Sequence, residues 1–179
     1  MQKLSLSESG LVCHESYPLN EEPKAECLWN HQPKRKILHN CAGKHLGLMA
    51  AARENGWDVK SYYDPEHPLQ KEILHLVSEF TEVTKEDISK SVDGCGLPVF
   101  SLPLYNMALS FLKFVCPEMI PEESTRKAVE RIGNVMNQHP KMIASHRFIC
   151  TELLSDQNII AKGGAQGVYC FALLYEKRG

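Results

Sequence analysis

None of the seven cysteines in this 179-residue chain has a close partner in sequence, so neither a zinc-finger spacing nor a tight disulfide framework is present. No apolar run approaches the roughly 20 residues needed to cross a bilayer. The first ten residues lack an adequate apolar core and carry an early acid, Glu8, so they do not read as a secretion signal. Without an export signal, an odd set of cysteines reads as reduced thiols in the cytoplasm. An excess of charge of one sign is missing too. With 20 basic and 22 acidic side chains the net charge is -2, which gives no electrostatic reason to expect nucleic acid or an acidic membrane as partner. Lys34-Arg35-Lys36 is too short to alter that and reads as a solvated loop end. Internal repeats and low-complexity stretches are also missing.

What is present is globular: 43% hydrophobic and 23% charged residues, in a length that suits one ordinary domain. Residues 1–40 read as irregular, interrupted by Pro18, Pro23 and Pro33. Lys44 to Asn55 has helical spacing (Leu46, Met49, Ala50) and Gly56 as a stop, which places Cys41 at the mouth of a helix. Leu69 to Phe80 is a second amphipathic helix, with Ile73, Leu74, Val77 and Phe80 on one face. Thr84-Lys85-Glu86-Asp87 has the pattern of a short capped helix. A turn at Asp93–Pro98 precedes an extended piece, Val99 to Leu102. Leu104 to Val115 and the run from Pro121 to Met136 are further helices, and helical spacing returns around Met142–Leu154. Asn158 to Ala161 and Val168 to Leu174 read as two strands about the Lys162–Gly167 turn. A lone hairpin is marginal, so an incomplete sheet is expected. The fold class is α+β, with helices packed on an incomplete mixed or antiparallel sheet.

Three glycine-punctuated polar segments carry the chemistry, and together they suggest one pocket built from distant loops. They are His39-Asn40-Cys41-Ala42-Gly43-Lys44-His45, Asp93-Gly94-Cys95-Gly96-Leu97-Pro98, and Ala161-Lys162-Gly163-Gly164-Ala165-Gln166-Gly167. Cys41 and Cys95 read either as two half-buried thiols beside tight turns or as soft metal ligands. His45 stands as a ligand, a base or a capping residue. Asp93 is a turn acid or a group that orients an amine or ligand. Lys162, if partly desolvated, is a base. The order of Gly and Lys excludes a nucleotide phosphate loop. His14 beside Cys13 is a poor catalytic pair, because adjacent side chains rarely meet. Two serines stand three residues before a lysine: Ser110 before Lys113, in an apolar helical run, and Ser124 before Lys127, in charged first turns. That spacing is common by chance.

Taken in order, these segments resemble the bacterial L-asparaginase II family of the Rhizobium etli type, which is distinct from the Escherichia coli-type and plant N-terminal-threonine asparaginases. Linking pieces match as well: Gly56-Trp57-Asp58, Tyr63-Asp64-Pro65-Glu66-His67-Pro68, and His139-Pro140 before Arg147-Phe148. The resemblance covers essentially the whole chain. It implies part of a fold similar to serine β-lactamases and glutaminases, and hydrolysis of L-asparagine to L-aspartate and ammonia. It also implies a zinc ion held by Cys41, Lys44 and Cys95, with Lys162 as a distal proton mover or substrate-site cation. His45 and Asp93 would line the same pocket or support the ligands. The implied partner is a small molecule, L-asparagine, with a homo-oligomer left open.

The departures are equally specific. The family's nucleophilic Ser-x-x-Lys and a further active-site serine lie upstream of the segment matched by Leu11-Val12-Cys13. The chain is therefore expected to be one partial domain over residues 1–179, shortened at both ends and inactive alone. The alternatives are a residual zinc or amino-acid binding domain, a non-functional fragment, or an unrelated hydrolase. Ser16 replaces a histidine of the family pattern, Ile149 an acid and Gln166 a common glutamate.

Overall fold

The computed structural model describes residues 6–179; Met1 to Ser5, within the segment read above as lacking a secretion signal, lie outside the described residues. The fold is α+β, with seven α-helices and two small antiparallel sheets among the described residues. The chain divides into two compact units. The first runs through Leu76 and takes up Lys85–Ser101, and the second comprises Val77–Thr84 and Leu102–Gly179.

In the first unit, α1 (Glu21–Trp29) forms inside the segment expected to be irregular. Pro23 does not prevent it, because it occupies the first turn, where a missing N–H costs no intrahelical bond. Glu21 and Glu22 complement the helix dipole at the same end. α2 (Ala42–Glu54) begins immediately after Cys41. It closes with a left-handed Gly56 (φ +69°), with Gly56 N–H donating to Arg53 and Trp57 N–H donating to Ala52. α3 (Pro68–Thr81) shows the expected amphipathic face, with Ile73, Leu74, Val77 and Phe80 half-buried and Lys71, Glu72 and His75 exposed.

The acid-rich stretch after Thr84 is a turn rather than a helix. It leads into a strand that the sequence does not advertise, β1 (Ser89–Val92), which is exposed throughout. β1 pairs antiparallel with β2 (Pro98–Ser101), with Val92 opposite Pro98. Ser-Lys-Ser-Val has no apolar alternation because neither face of β1 is buried. The core of this unit gathers Leu11, Met49, Ala52, Tyr62, Leu69 and Leu97, and it includes the thiols of Cys13 and Cys95.

The second unit holds α4 (Leu104–Val115), α5 (Glu123–Gln138), α6 (Pro140–Ala144) and α7 (Ile149–Leu154). The helical stretch expected around Met142–Leu154 is thus two short helices. They are separated where Ser145 and Arg147 adopt positive φ (61° and 62°), a conformation no α-helix contains. β3 (Ile159–Gly163) and β4 (Tyr169–Leu173) pair antiparallel with Lys162 opposite Cys170. Among the described residues the strands thus form two separate two-stranded antiparallel sheets. Asn137 ties this unit together: its amide donates to the carbonyls of Leu154, Asp156 and Ile159 at 2.9–3.1 Å. Val115, Cys116, Ile160 and Ala172 form the core.

Candidate metal centre

Two of the three polar segments meet in the first unit. Cys41 is the residue capping the N-terminus of α2, and its backbone N–H donates to His39 Nδ1 at 3.0 Å. His39 is buried, packs edge-on against His14 (ring centroids 4.4 Å apart), and has its pKa lowered by that burial and by His14. The imidazole is thus an acceptor that fixes the start of α2. Asn40 Nδ2 lies 3.6 Å from Cys41 Sγ.

Cys95 sits on the loop joining β1 to β2. Asp93 N–H donates to Leu97 O and Gly96 N–H to Asp93 O, both at 2.8 Å. Gly96 has φ +86°, and a Cβ there would come within 3.3 Å of the Val12 side chain. Any other residue would be opposed both by the backbone and by this close approach. The turn presents the Asp93 carboxylate and the Cys95 thiol on the same side, and the thiol donates to Asp93 Oδ2 at 3.1 Å. Burial, and then this bond to Asp93, push the Cys95 thiol pKa up. The same bond, with lesser help from Lys44, holds Asp93 below the usual carboxylate range.

One ligand atom each from Cys41, Asp93 and Cys95 lies within 4.8 Å of the others. Lys44, in the first turn of α2, reaches in from the side, with Nζ 3.8 Å from Asp93 Oδ2. The donor set passes a chemical test for zinc. Two thiols and a carboxylate suit a borderline-soft cation, and ligands around zinc stand about 3.5–4 Å apart, a spacing that small side-chain rotations would reach. Ion binding would displace the thiol proton from Cys95. For Lys44 to ligate, its amine must be neutral, so it would have to leave its ion pair with Asp93.

His45 does not face solvent. It is fully buried, its N–H continues α2 by donating to Cys41 O, and Nδ1 lies 2.6 Å from Tyr62 Oη. Tyr62 Oη also accepts the Val12 N–H at 3.1 Å, so the phenol has its own proton free to give to Nδ1. The ring then carries its proton on Nε2, a buried atom without a hydrogen-bond partner among the described residues. Burial, with Lys44 and His39 nearby, lowers the His45 pKa to about 4, so the ring is neutral at physiological pH. Of the three readings open from sequence, the structure gives a buried neutral imidazole in the helix that carries Cys41 and Lys44.

Lys162 lies in the second unit, exposed on β3, with Nζ donating to Gly163 O at 2.6 Å. Ile149 is exposed at the start of α7, and Gln166 takes a positive φ (53°) in the β3–β4 turn. Both formal serine–lysine pairs are engaged elsewhere. Ser110 Oγ donates to Met107 O, and the buried Lys113 donates to Glu79 O and pairs with Glu82 at 3.0 Å. Ser124 Oγ donates to Glu122, and Lys127 pairs with Glu123.

The family model for L-asparaginase II matches residues 1–179. The chain belongs to the L-asparaginase II family. No curated protein gives a match. The family suggests an asparagine amidohydrolase-like function and implies a small-molecule substrate for its members. Among the described residues no helix is long and apolar enough to cross a membrane. His39 and Tyr62 escaped the sequence reading. His39 stands in the first polar segment and was there to be found. Tyr62 was not, because no spacing rule links it to a histidine 17 residues earlier.

Proposed function

We propose that this L-asparaginase II-family chain, of the Rhizobium etli type, binds zinc through Cys41, Lys44 and Cys95, and that it does not hydrolyse L-asparagine by itself. The observation that carries the metal half is the convergence of Cys41, Asp93 and Cys95 within 4.8 Å. Bound there, the ion would act as a Lewis acid or an ordering centre beside the amide substrate. The chain's own residues do the rest. Asp93 takes the Cys95 proton when the thiol becomes a ligand, His39 and the Gly96 turn fix the backbone that carries the two cysteines, and neutral His45 keeps a second positive charge away from Lys44. Lys162, on β3 of the second unit, is a proton mover in this reading, in a cytoplasmic protein.

The inactive half rests on the engaged serine–lysine pairs. A serine nucleophile needs a neutral base within hydrogen-bond reach, whereas Lys113 and Lys127 are each held by a carboxylate. A residual zinc or amino-acid binding domain is the second reading, favoured by the same intact cluster.

The test is elemental analysis of the purified chain together with ammonia release from L-asparagine. One zinc per chain, lost in Cys41→Ser and Cys95→Ser, with no ammonia above background, is the expected result. Zinc that persists in both variants would sink the ligand assignment. Turnover at a rate typical of working enzymes, about 1–1000 per second, would sink the inactivity.

A further inference from the structure

The sulfurs of Cys41 and Cys95 sit within 4.8 Å of each other, far apart in sequence but together in the first unit. Cys41 is half-buried and Cys95 is buried, with its thiol donating to Asp93 Oδ2, 3.1 Å away. Gly94 and Gly96 flank Cys95. A Cβ at Gly94 would meet nothing within 4 Å, so the turn has room on that side. A disulfide holds its sulfurs about 2.05 Å apart, so closure asks for under about 3 Å of approach. Of the other thiols, Cys13, Cys27, Cys116 and Cys150 are buried like Cys95, Cys150 Sγ already accepts the Gly163 N–H, and Cys170 is half-buried but belongs to the second unit.

We propose that Cys41 and Cys95 are a redox pair, which a low-molecular-weight disulfide of the glutathione class closes into a reversible bridge. The thiolate of Cys41 attacks one sulfur of the reagent. The reagent's S–S bond breaks, and one thiol leaves carrying the proton released by Cys41. The Cys95 sulfur then attacks Cys41 Sγ in the mixed disulfide. Its proton passes to Asp93 and on to solvent, and the second reagent sulfur leaves as a thiolate that takes up a proton from solvent. Two protein thiols are oxidised and one small disulfide is reduced to two thiols; excess thiol reverses both steps. The bridge uses the same two sulfurs as the proposed metal site. Its role as a metal-release switch therefore rests on that reading, whereas the bridge itself does not.

The experiment exposes the metal-free full chain to oxidised glutathione and maps unreduced peptides by mass spectrometry. A Cys41–Cys95 linked peptide is expected, reversed by dithiothreitol. Cys95→Ser should instead accumulate glutathione on Cys41, and Cys13→Ser should close like the unaltered chain. Free thiols at both positions, a lasting mixed disulfide on Cys41, or a bridge from Cys13 to Cys95 would each overturn the proposal. With zinc about tenfold above its Kd, closure should slow about tenfold, because only the metal-free fraction reacts. Closure at an unchanged rate would support the redox pair and overturn only the metal ligands.

Discussion

Tyr62 does more at the residue scale than any side chain of the cluster itself. It is fully buried, and its hydroxyl serves two groups from distant segments, the Val12 N–H and His45 Nδ1. Burial pushes the phenol pKa up, so it remains a neutral donor throughout the physiological range. Replacing it by phenylalanine keeps the ring and its packing but strands two polar groups. Each stranded buried group costs about 1–3 kcal/mol, so Tyr62→Phe should lower stability in urea by about 2 kcal/mol or more. Tyr63→Phe, next along the chain and 41% exposed, should change it by less than about 0.5 kcal/mol. Equal effects from the two variants would show that the hydroxyl of Tyr62 is not the supporting contact. The segments that carry Cys41, Lys44, His45, Asp93 and Cys95 stand out in the sequence as glycine-marked turns and a helix start, whereas a shared metal is what the family resemblance implies. Tyr62 was not legible, since a hydrogen bond between distant segments leaves no local pattern.

Helix ends supply the next level of control, and α5 shows it most clearly. Glu122 caps this helix: its carboxylate accepts from the N–H and hydroxyl of both Ser124 and Thr125. Those bonds, the ones to the Ser124 and Thr125 side chains first, lower its pKa to about 2. A carboxylate with a lowered folded-state pKa stabilises the fold above its ordinary pKa and loses that contribution as pH falls through the lowered value. The cap should therefore hold fully above pH 4.5 and disappear as pH falls towards 2. Glu122→Gln should lower the Tm at neutral pH, and the gap between the two proteins should close over that acid window; a gap that persists at the acid end would argue against the cap. The elements that sequence reading identified best, α2 to α5 and the β3–β4 hairpin, are those whose own apolar period or caps specify them. The ones it misread depend on context. α1 tolerates Pro23 only because of its place in the first turn, β1 has no buried face to pattern, and the α6–α7 break follows from two positive-φ residues that composition does not mark.

For the whole molecule, the division into two units lets the proposed zinc binding be followed in the unit that would carry it. Cys41, Lys44, Asp93 and Cys95 all belong to the first unit, and so do both tryptophans, Trp29 and Trp57. Trp29 is 86% exposed, whereas Trp57 packs against the core that contains Cys95 and stands edge-on to His67. Tryptophan fluorescence therefore reports the unit that carries the proposed ligands, through Trp57 above all, while far-ultraviolet circular dichroism reports helices of both. A ligand that binds only the folded state stabilises it by about 2.7 kcal/mol at a hundredfold excess over Kd. Zinc at that level should raise the fluorescence midpoint on heating by several degrees in the unaltered chain and leave it unmoved in Cys95→Ser. A circular dichroism transition that rises with it would mean that the two units melt as one cooperative structure. A dichroism curve that splits, with only its fluorescent part responding to zinc, would mean that the units unfold separately. In either case, a zinc shift that survives the loss of Cys95 would place the metal somewhere other than between the two cysteines.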